Sequence, residues 1–126
     1  MIVIDARDTG RYCVRNWYEL DMVHYIDLDS KKLEVEEVNI AEALQAKGKA
    51  IILPYEHEFF SYRDALEQFQ MEEGFEIPYG VRPGYYLREH GWQYSFYEFQ
   101  HSLYHKHLDR WCSDHGFKII YEDDVA

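Results

Sequence analysis

The most regular feature of the chain is an alternation of apolar and polar residues in two neighbouring segments, 23–28 and 33–38. This period is typical of strands that bury one face. The polar residues 29–32 separate the two segments and predict the turn of a β-hairpin. The outward-facing hairpin residues are acidic, so we expect an acidic sheet edge formed by Asp27, Asp29, Glu34, Glu36 and Glu37. Such an edge either prevents pairing with other sheets or contacts a partner.

Three further apolar runs predict short strands. Residues 1–4 are rich in β-branched side chains, residues 50–53 end at Pro54, and residues 117–121 lie near the C-terminus. Residues 12–14 are expected to pair with the first strand as a hairpin. The segment 16–22 fits either a loop or one helical turn capped by Asn16.

Capping residues and helical spacing predict two helices in the middle of the chain. Asn39 and Glu42 have the spacing of a capping box before residues 40–47. A second helix opens at Ser61 and ends at Gly74. Its apolar residues recur at helical spacing and predict a buried face of Tyr62, Ala65, Leu66 and Phe69.

A long loop and a long final helix are predicted for the remaining third of the chain. Residues 75–91 contain two prolines and three glycines and predict a loop with one helical turn near residues 85–90. Ser95 and Glu98 fit a capping box for the last helix, and Gly116 fits its end. Its predicted core face consists of Phe96, Phe99, Leu103, His107 and Trp111, flanked by Leu108 and Cys112.

These elements predict a single α+β domain spanning residues 1–126. A small antiparallel sheet from the N-terminal half is expected to pack against two or three helices from the C-terminal half. Residues 122–126 form an acidic tail, and its order is left open. A length of 126 residues suffices for a hydrophobic core without disulfides or metals.

Charge and aromatic content narrow the classes of function. The formal net charge is −11, which disfavours binding to nucleic acids or acidic membranes and favours cationic partners. The twelve tyrosines exceed what so small a core usually buries, and tyrosine suits half-exposed contact surfaces. The chain starts without a signal-peptide pattern and contains no long apolar span, so we expect a cytoplasmic protein. Cys13 and Cys112 are expected to be free thiols, although a disulfide between them stays open.

The final helix carries the most suggestive chemistry. Helical spacing places Glu98, His101, His105 and Asp109 along one face, opposite the predicted core face. Two histidines at i and i+4 can reach one Zn²⁺ or Mn²⁺ ion, with Glu98 and a distant ligand such as His57. The alternative is an ordinary solvated face, because two histidines fix too few ligands. A second Glu-x-x-His motif, which a di-metal bundle requires, is missing from the sequence.

Other candidate residues have equally open interpretations. Glu56, His57 and Glu58 could form an acid–base pair or lead into a helix. His107 fits a half-buried, hydrogen-bonded histidine or a titrating one. Cys112 is expected to be structural, because it lies inside a helix. The sequence contains neither a phosphate-binding glycine loop nor a nucleophile elbow.

A binding protein without enzymatic activity is the first functional hypothesis, with an acidic and tyrosine-rich surface that blocks a basic site of a protein partner. Its expected contact residues are Tyr85, Tyr86, Arg88 and Trp92 in the long loop, with Asp27, Glu34 and Glu36 on the hairpin. A metal-dependent enzyme that uses the cluster on the last helix is the alternative. A homo-oligomer built through exposed aromatic side chains is the third hypothesis.

A series of short motifs runs from Val23 to Phe117. In order, they are Ile51-Ile-Leu-Pro54, Tyr62-x(6)-Phe69, Phe96-Tyr-Glu-Phe99, Trp111-Cys112 and His115-Gly116. In this series the chain resembles a family of small cytosolic bacterial proteins known only as uncharacterised. That family's Gly-x-Phe-Arg-Arg-Phe segment corresponds here to Gly91-Trp-Gln-Tyr-Ser-Phe96, which lacks the basic pair. The resemblance implies a similar fold and a cytosolic location, but no activity.

Overall fold

A five-stranded mixed sheet organises the protein. The structure is a computed structural model that describes residues 1–17 and 21–124. The strand order is β4-β2-β3-β1-β5. The strands are β1 (Ile2–Ala6), β2 (Met22–Asp27), β3 (Lys32–Glu37), β4 (Ala50–Ile52) and β5 (Phe117–Tyr121). The predicted α+β class is therefore confirmed, and five of the six predicted strands form, the exception being residues 12–14.

The β2–β3 hairpin follows the alternation in the sequence. The strands pair antiparallel from Met22 opposite Glu37 to Asp27 opposite Lys32. The Asp27 carboxylate accepts hydrogen bonds from the backbone N–H groups of Asp29 and Ser30 and thereby stabilises the turn. Within the strand order β3 is internal, although β1 pairs only with its beginning. The acidic hairpin therefore does not form the sheet edge that the sequence predicted.

The first strand pairs differently from the prediction. β1 lies parallel to β5, from Ile2 opposite Phe117 to Ala6 opposite Tyr121, and parallel to β3 at Asp5 and Lys32. The sheet is thus mixed, not purely antiparallel. Residues 11–13 form a short 3₁₀ helix instead of a hairpin strand. Parallel pairing requires a long crossover, which local sequence patterns do not show.

Within residues 1–17 and 21–124, five α-helices accompany the sheet, two more than the largest number predicted. They are α1 (Val38–Ala46), α2 (Glu56–Phe59), α3 (Tyr62–Glu73), α4 (Pro83–Glu89) and α5 (Gln93–Asp114). A second 3₁₀ helix, Glu122–Asp124, orders part of the acidic tail. The loop predicted for residues 75–91 contains α4, which is longer than the single turn expected.

Both ends of α3 and the end of α5 before Gly116 agree with the sequence, whereas the starts of α1 and α5 differ. The Ser61 hydroxyl accepts a hydrogen bond from the Asp64 N–H, and Gly74 ends α3 in the left-handed conformation with φ of +75°. Helix α1 begins at Val38, so Asn39 lies inside its first turn and makes no cap. Helix α5 begins at Gln93, which places Ser95 within the helix. Both predicted capping boxes are therefore wrong, because each helix starts earlier than its apolar pattern.

Helices cover the sheet on both faces. Helix α1 packs over a small cluster formed by Val23, Tyr25, Ala41 and Ala50. The main core lies on the opposite face, against α3 and α5, because side chains alternate along each strand. The Phe69 ring, at the centre of this core, contacts the rings of Phe75, Trp92, Phe96 and Phe99.

Candidate functional site

The two histidines of the predicted metal face are buried. The exposed fraction is 6 % for His101 and 3 % for His105. The turn at residues 11–13 packs against α5, and the Tyr12 ring meets the two imidazoles edge-on at centroid distances of 6.2 and 6.1 Å. The prediction of a solvated face is therefore wrong at its centre. A contact between segments about 90 positions apart in the sequence covers a helix face that the local pattern marks as polar.

Burial keeps both imidazoles neutral at neutral pH. It lowers the pKa of His101 from 6.5 to about 4, with smaller contributions from the nearby charges of Arg15 and His105. It also lowers the pKa of His105 to about 4, opposed by the Val14 backbone and reinforced by Arg11. Among the described residues, no side chain or backbone group forms a well-aligned hydrogen bond to the four ring nitrogens.

A buried ion pair lies beside the histidines. Arg15 Nη2 is 2.7 Å from Glu56 Oε1, and the two side chains are 2 % and 16 % exposed. The Arg15 guanidinium stacks over the Trp17 ring at 3.8 Å and lies 5.5 Å from the Tyr97 ring centroid. Burial raises the pKa of Glu56 and lowers that of Arg15, and the attraction between them opposes both shifts.

Backbone contacts of the neighbouring residue Asn16 fix the position of this ion pair. The Asn16 side-chain amide donates to the carbonyls of His24 and Leu53 at 2.9 and 3.0 Å, and its oxygen accepts from the His24 N–H at 2.9 Å. The Asn16 carbonyl in turn accepts from the Glu56 N–H at 2.7 Å. Asn16 therefore ties the segment before β2 to the sheet and to the start of α2. The sequence also allowed a helical turn in residues 16–22 capped by Asn16, but residues 18–20 of that segment lie outside the described residues.

A tyrosine-lined cleft of about 410 Å³ opens next to this cluster. Three tyrosines at its wall are well exposed, namely Tyr94 at 71 %, Tyr12 at 59 % and Tyr97 at 45 %. The neighbouring Glu98 carboxylate raises the pKa of the exposed Tyr94. His101 and Ser102 complete the described lining. The cleft therefore combines aromatic faces, one carboxylate and a neutral imidazole.

The predicted metal ligands do not converge. In residues 1–17 and 21–124, no three histidine, cysteine, aspartate or glutamate side chains are placed to share an ion. Asp109 forms an ion pair with Arg11 at 3.1 Å. His57 stacks on Tyr55 at 5.7 Å, in α2. His101 and His105 remain neighbours, but the described residues offer no third ligand that could share an ion with them.

The predicted partner contacts in the loop are only partly exposed. Trp92 stacks on Phe75 at 4.8 Å and packs against the main core. The Tyr86 ring stacks on the rings of Phe75 and His90, at centroid distances of 5.9 and 3.9 Å. Tyr85 and Arg88 are exposed, with the guanidinium 5.8 Å from the ring centroid. Helix α4 packs on α5, whereas the acidic hairpin packs on α1, β4 and β1, so these residues do not form one surface.

Residues 56–58 lie in the short helix α2 and do not form the acid–base pair that the sequence also allowed. Glu56 points to Arg15, while the Glu58 carboxylate accepts a hydrogen bond from the Tyr55 N–H at 2.6 Å. His107 is half-buried and stacks on Phe59 at 5.3 Å, and burial lowers its pKa.

Both cysteines are free, as expected, and burial raises the pKa of the Cys112 thiol to about 12. Cys13 is exposed. The prediction that Cys112 is structural agrees with its burial.

Sequence reasoning missed the segment that builds the site. Residues 11–17 read Arg-Tyr-Cys-Val-Arg-Asn-Trp and carry the basic and aromatic side chains that face α5 and α2. The density of aromatic and basic residues in this segment was the available signal. It could not show that Arg15 is buried, because the counter-charge comes from Glu56.

Comparisons with protein families, with curated proteins and with solved structures find no match for this chain. The resemblance to a family of uncharacterised bacterial proteins therefore stays a prediction. Over the described residues, none of the helices combines the length and apolarity needed to span a bilayer.

Proposed function

We propose that the protein is a non-enzymatic binding module for a basic protein partner, and that it acts as an inhibitor by occupying a basic site. The observation that carries the proposal is the cleft at the N-terminal half of α5, where Tyr12, Tyr94 and Tyr97 are exposed beside Glu98. Exposed tyrosines provide large contact areas with little loss of side-chain entropy on binding. The net charge of −11 supplies the long-range attraction to a basic partner.

The buried cluster behind the cleft supports this role by fixing its geometry. Tyr97 contacts the buried imidazole of His101, and Arg15 lies against Tyr97. Side chains held by packing before binding lose less freedom when the partner arrives. The proposed contact surface is therefore centred on this cleft and not on α4, where Trp92 belongs to the core. The α5 metal-site alternative lacks a third converging ligand among the described residues.

The test is capture of partners from a lysate of the host with the tagged protein at low and high salt, followed by titration calorimetry with the purified partner. We expect a basic protein that is lost at high salt, because exposed charges are screened there. Tyr94→Ala should weaken binding roughly tenfold or more if Tyr94 is an interface anchor. Tyr79→Ala is the matched control, since Tyr79 is fully exposed and lies away from the cleft. A purified partner that binds both variants equally would remove the cleft from the interface.

A further inference from the structure

The cleft has the chemistry of a receptor for one organic cation. Aromatic faces attract cations through their ring quadrupoles, and a nearby carboxylate adds direct Coulomb attraction. Tyr94 and Glu98 lie one helical turn apart on α5, and both line the cleft. Tyr97 lies on the same stretch of helix, and Tyr12 approaches from the turn at residues 11–13.

The buried imidazole of His101 adds a hydrogen-bond acceptor. His101 lines the cleft and is only 6 % exposed. Its ring nitrogens have no well-aligned hydrogen-bond partner in the described part of the chain. A neutral imidazole has one nitrogen that accepts a hydrogen bond. A buried polar group without a partner is costly, so a ligand that donates to it recovers that energy. The Tyr12 ring covers the imidazole edge-on, and a ligand that reaches His101 must displace this exposed side chain.

Building on the proposed function, we propose that the cleft binds the guanidinium group of an arginine side chain presented by the basic partner. A guanidinium donates five hydrogen bonds in one plane and stacks on aromatic rings, whereas an ammonium is more strongly hydrated. The protein already uses this geometry within its own fold, where Arg15 stacks on Trp17 and Arg11 lies 4.7 Å from the Tyr121 ring.

The positive charge of Arg15, which contributes to the low pKa of His101, also opposes a cation at the cleft. The Glu56 carboxylate, 2.7 Å from the Arg15 guanidinium, offsets part of this repulsion. Among the described residues, Glu98 is the carboxylate that lines the cleft, and no described ion pair neutralises it. An anionic ligand would meet that carboxylate, and the neutral His101 would offer it no charge.

The test uses the 126-residue protein and acetyl-Gly-Arg-Gly-amide as the probe, followed by ¹H–¹⁵N NMR. We expect saturable shifts at the backbone amides of residues 94–102 and at Tyr12. The citrulline peptide, which keeps the shape and loses the charge, should bind at least tenfold more weakly. The lysine peptide should bind more weakly than the arginine peptide. Equal binding of the arginine and citrulline peptides, saturable shifts elsewhere, or an absence of saturable binding would each overturn the proposal.

Two variants locate the site. Glu98→Gln and Tyr94→Leu should each weaken binding of the arginine peptide about fivefold, because each removes one attractive group from an exposed position. Glu89→Gln and Tyr79→Leu are the matched controls, at exposed positions outside the cleft. Unchanged affinity in Glu98→Gln and Tyr94→Leu would also overturn the proposal.

The two proposals fail separately. A basic partner whose affinity survives Glu98→Gln, together with no binding of the arginine peptide, would refute the guanidinium site and leave the binding module intact. Specific binding of the peptide without any basic partner in the lysate would support the guanidinium site and refute the proposed function.

Discussion

The buried histidines should make the protein lose stability in mild acid, well above the pH at which most carboxylates are protonated. The pKa of both His101 and His105 is about 4 in the folded protein, against 6.5 for an ordinary histidine. The unfolded chain therefore binds more protons than the folded protein between these values. The free energy of unfolding is highest above pH 6.5 and falls as the pH is lowered towards 4.

The pKa shifts of the two histidines set the size of the expected loss in the free energy of unfolding. Linkage gives about 2 kcal/mol for each histidine between pH 7.5 and pH 5, and therefore about 4 kcal/mol for the pair as an upper value. Water that enters the cleft screens His101, so we expect a total of about 2–4 kcal/mol. Arg11 and Arg15 face the pair and disfavour its protonation further.

The assay is urea unfolding followed by circular dichroism at several pH values from 7.5 to 5. The double variant His101→Leu plus His105→Leu removes both titrating groups and should lose much less stability over this range than the wild type. Burial also lowers the pKa of His24 and of His107, but these two groups are present in both proteins and cancel in the difference. His90→Leu, at an exposed position, is the control. A double variant with the wild-type loss of stability would refute the reasoning.

Three further results are expected from the same structure. Arg15→Met or Glu56→Met alone should lower the free energy of unfolding, measured in urea, by about 3–5 kcal/mol, because each change leaves a buried charge unpaired. The double variant should lose less stability than either single variant, and additive losses would contradict this. Trp92→Ala should destabilise the protein by about 3 kcal/mol, because the ring packs on the core, and an unchanged melting temperature would show that it is a surface ring. A thiol reagent should modify Cys13 rapidly and Cys112 only after unfolding, because burial raises the pKa of Cys112 to about 12. Rapid modification of two thiols in the folded protein would contradict the burial of Cys112.

Local sequence patterns determined the elements whose signals lie within a few residues. The alternation around residues 29–32 predicted the hairpin, because a strand with one buried face has a period of two. Ser61 and Gly74 predicted both ends of α3, because a side-chain oxygen and a left-handed residue satisfy groups that the helix leaves free. The capping boxes proposed at Asn39 and Ser95 were wrong, since α1 begins at Val38 and α5 at Gln93, so that both residues lie within the first helical turn.

Tertiary contacts decided the sheet order and the candidate site. β1 pairs with β5 across almost the whole chain, and neither strand carries a mark that specifies a parallel neighbour. The periodicity of α5 placed His101 and His105 on a polar face, but the turn at residues 11–13 and Tyr121 of β5 pack against them and help to bury them. The sequence of a helix indicates which of its faces is apolar and which is polar, but whether a distant segment covers the polar face depends on the fold of the whole chain.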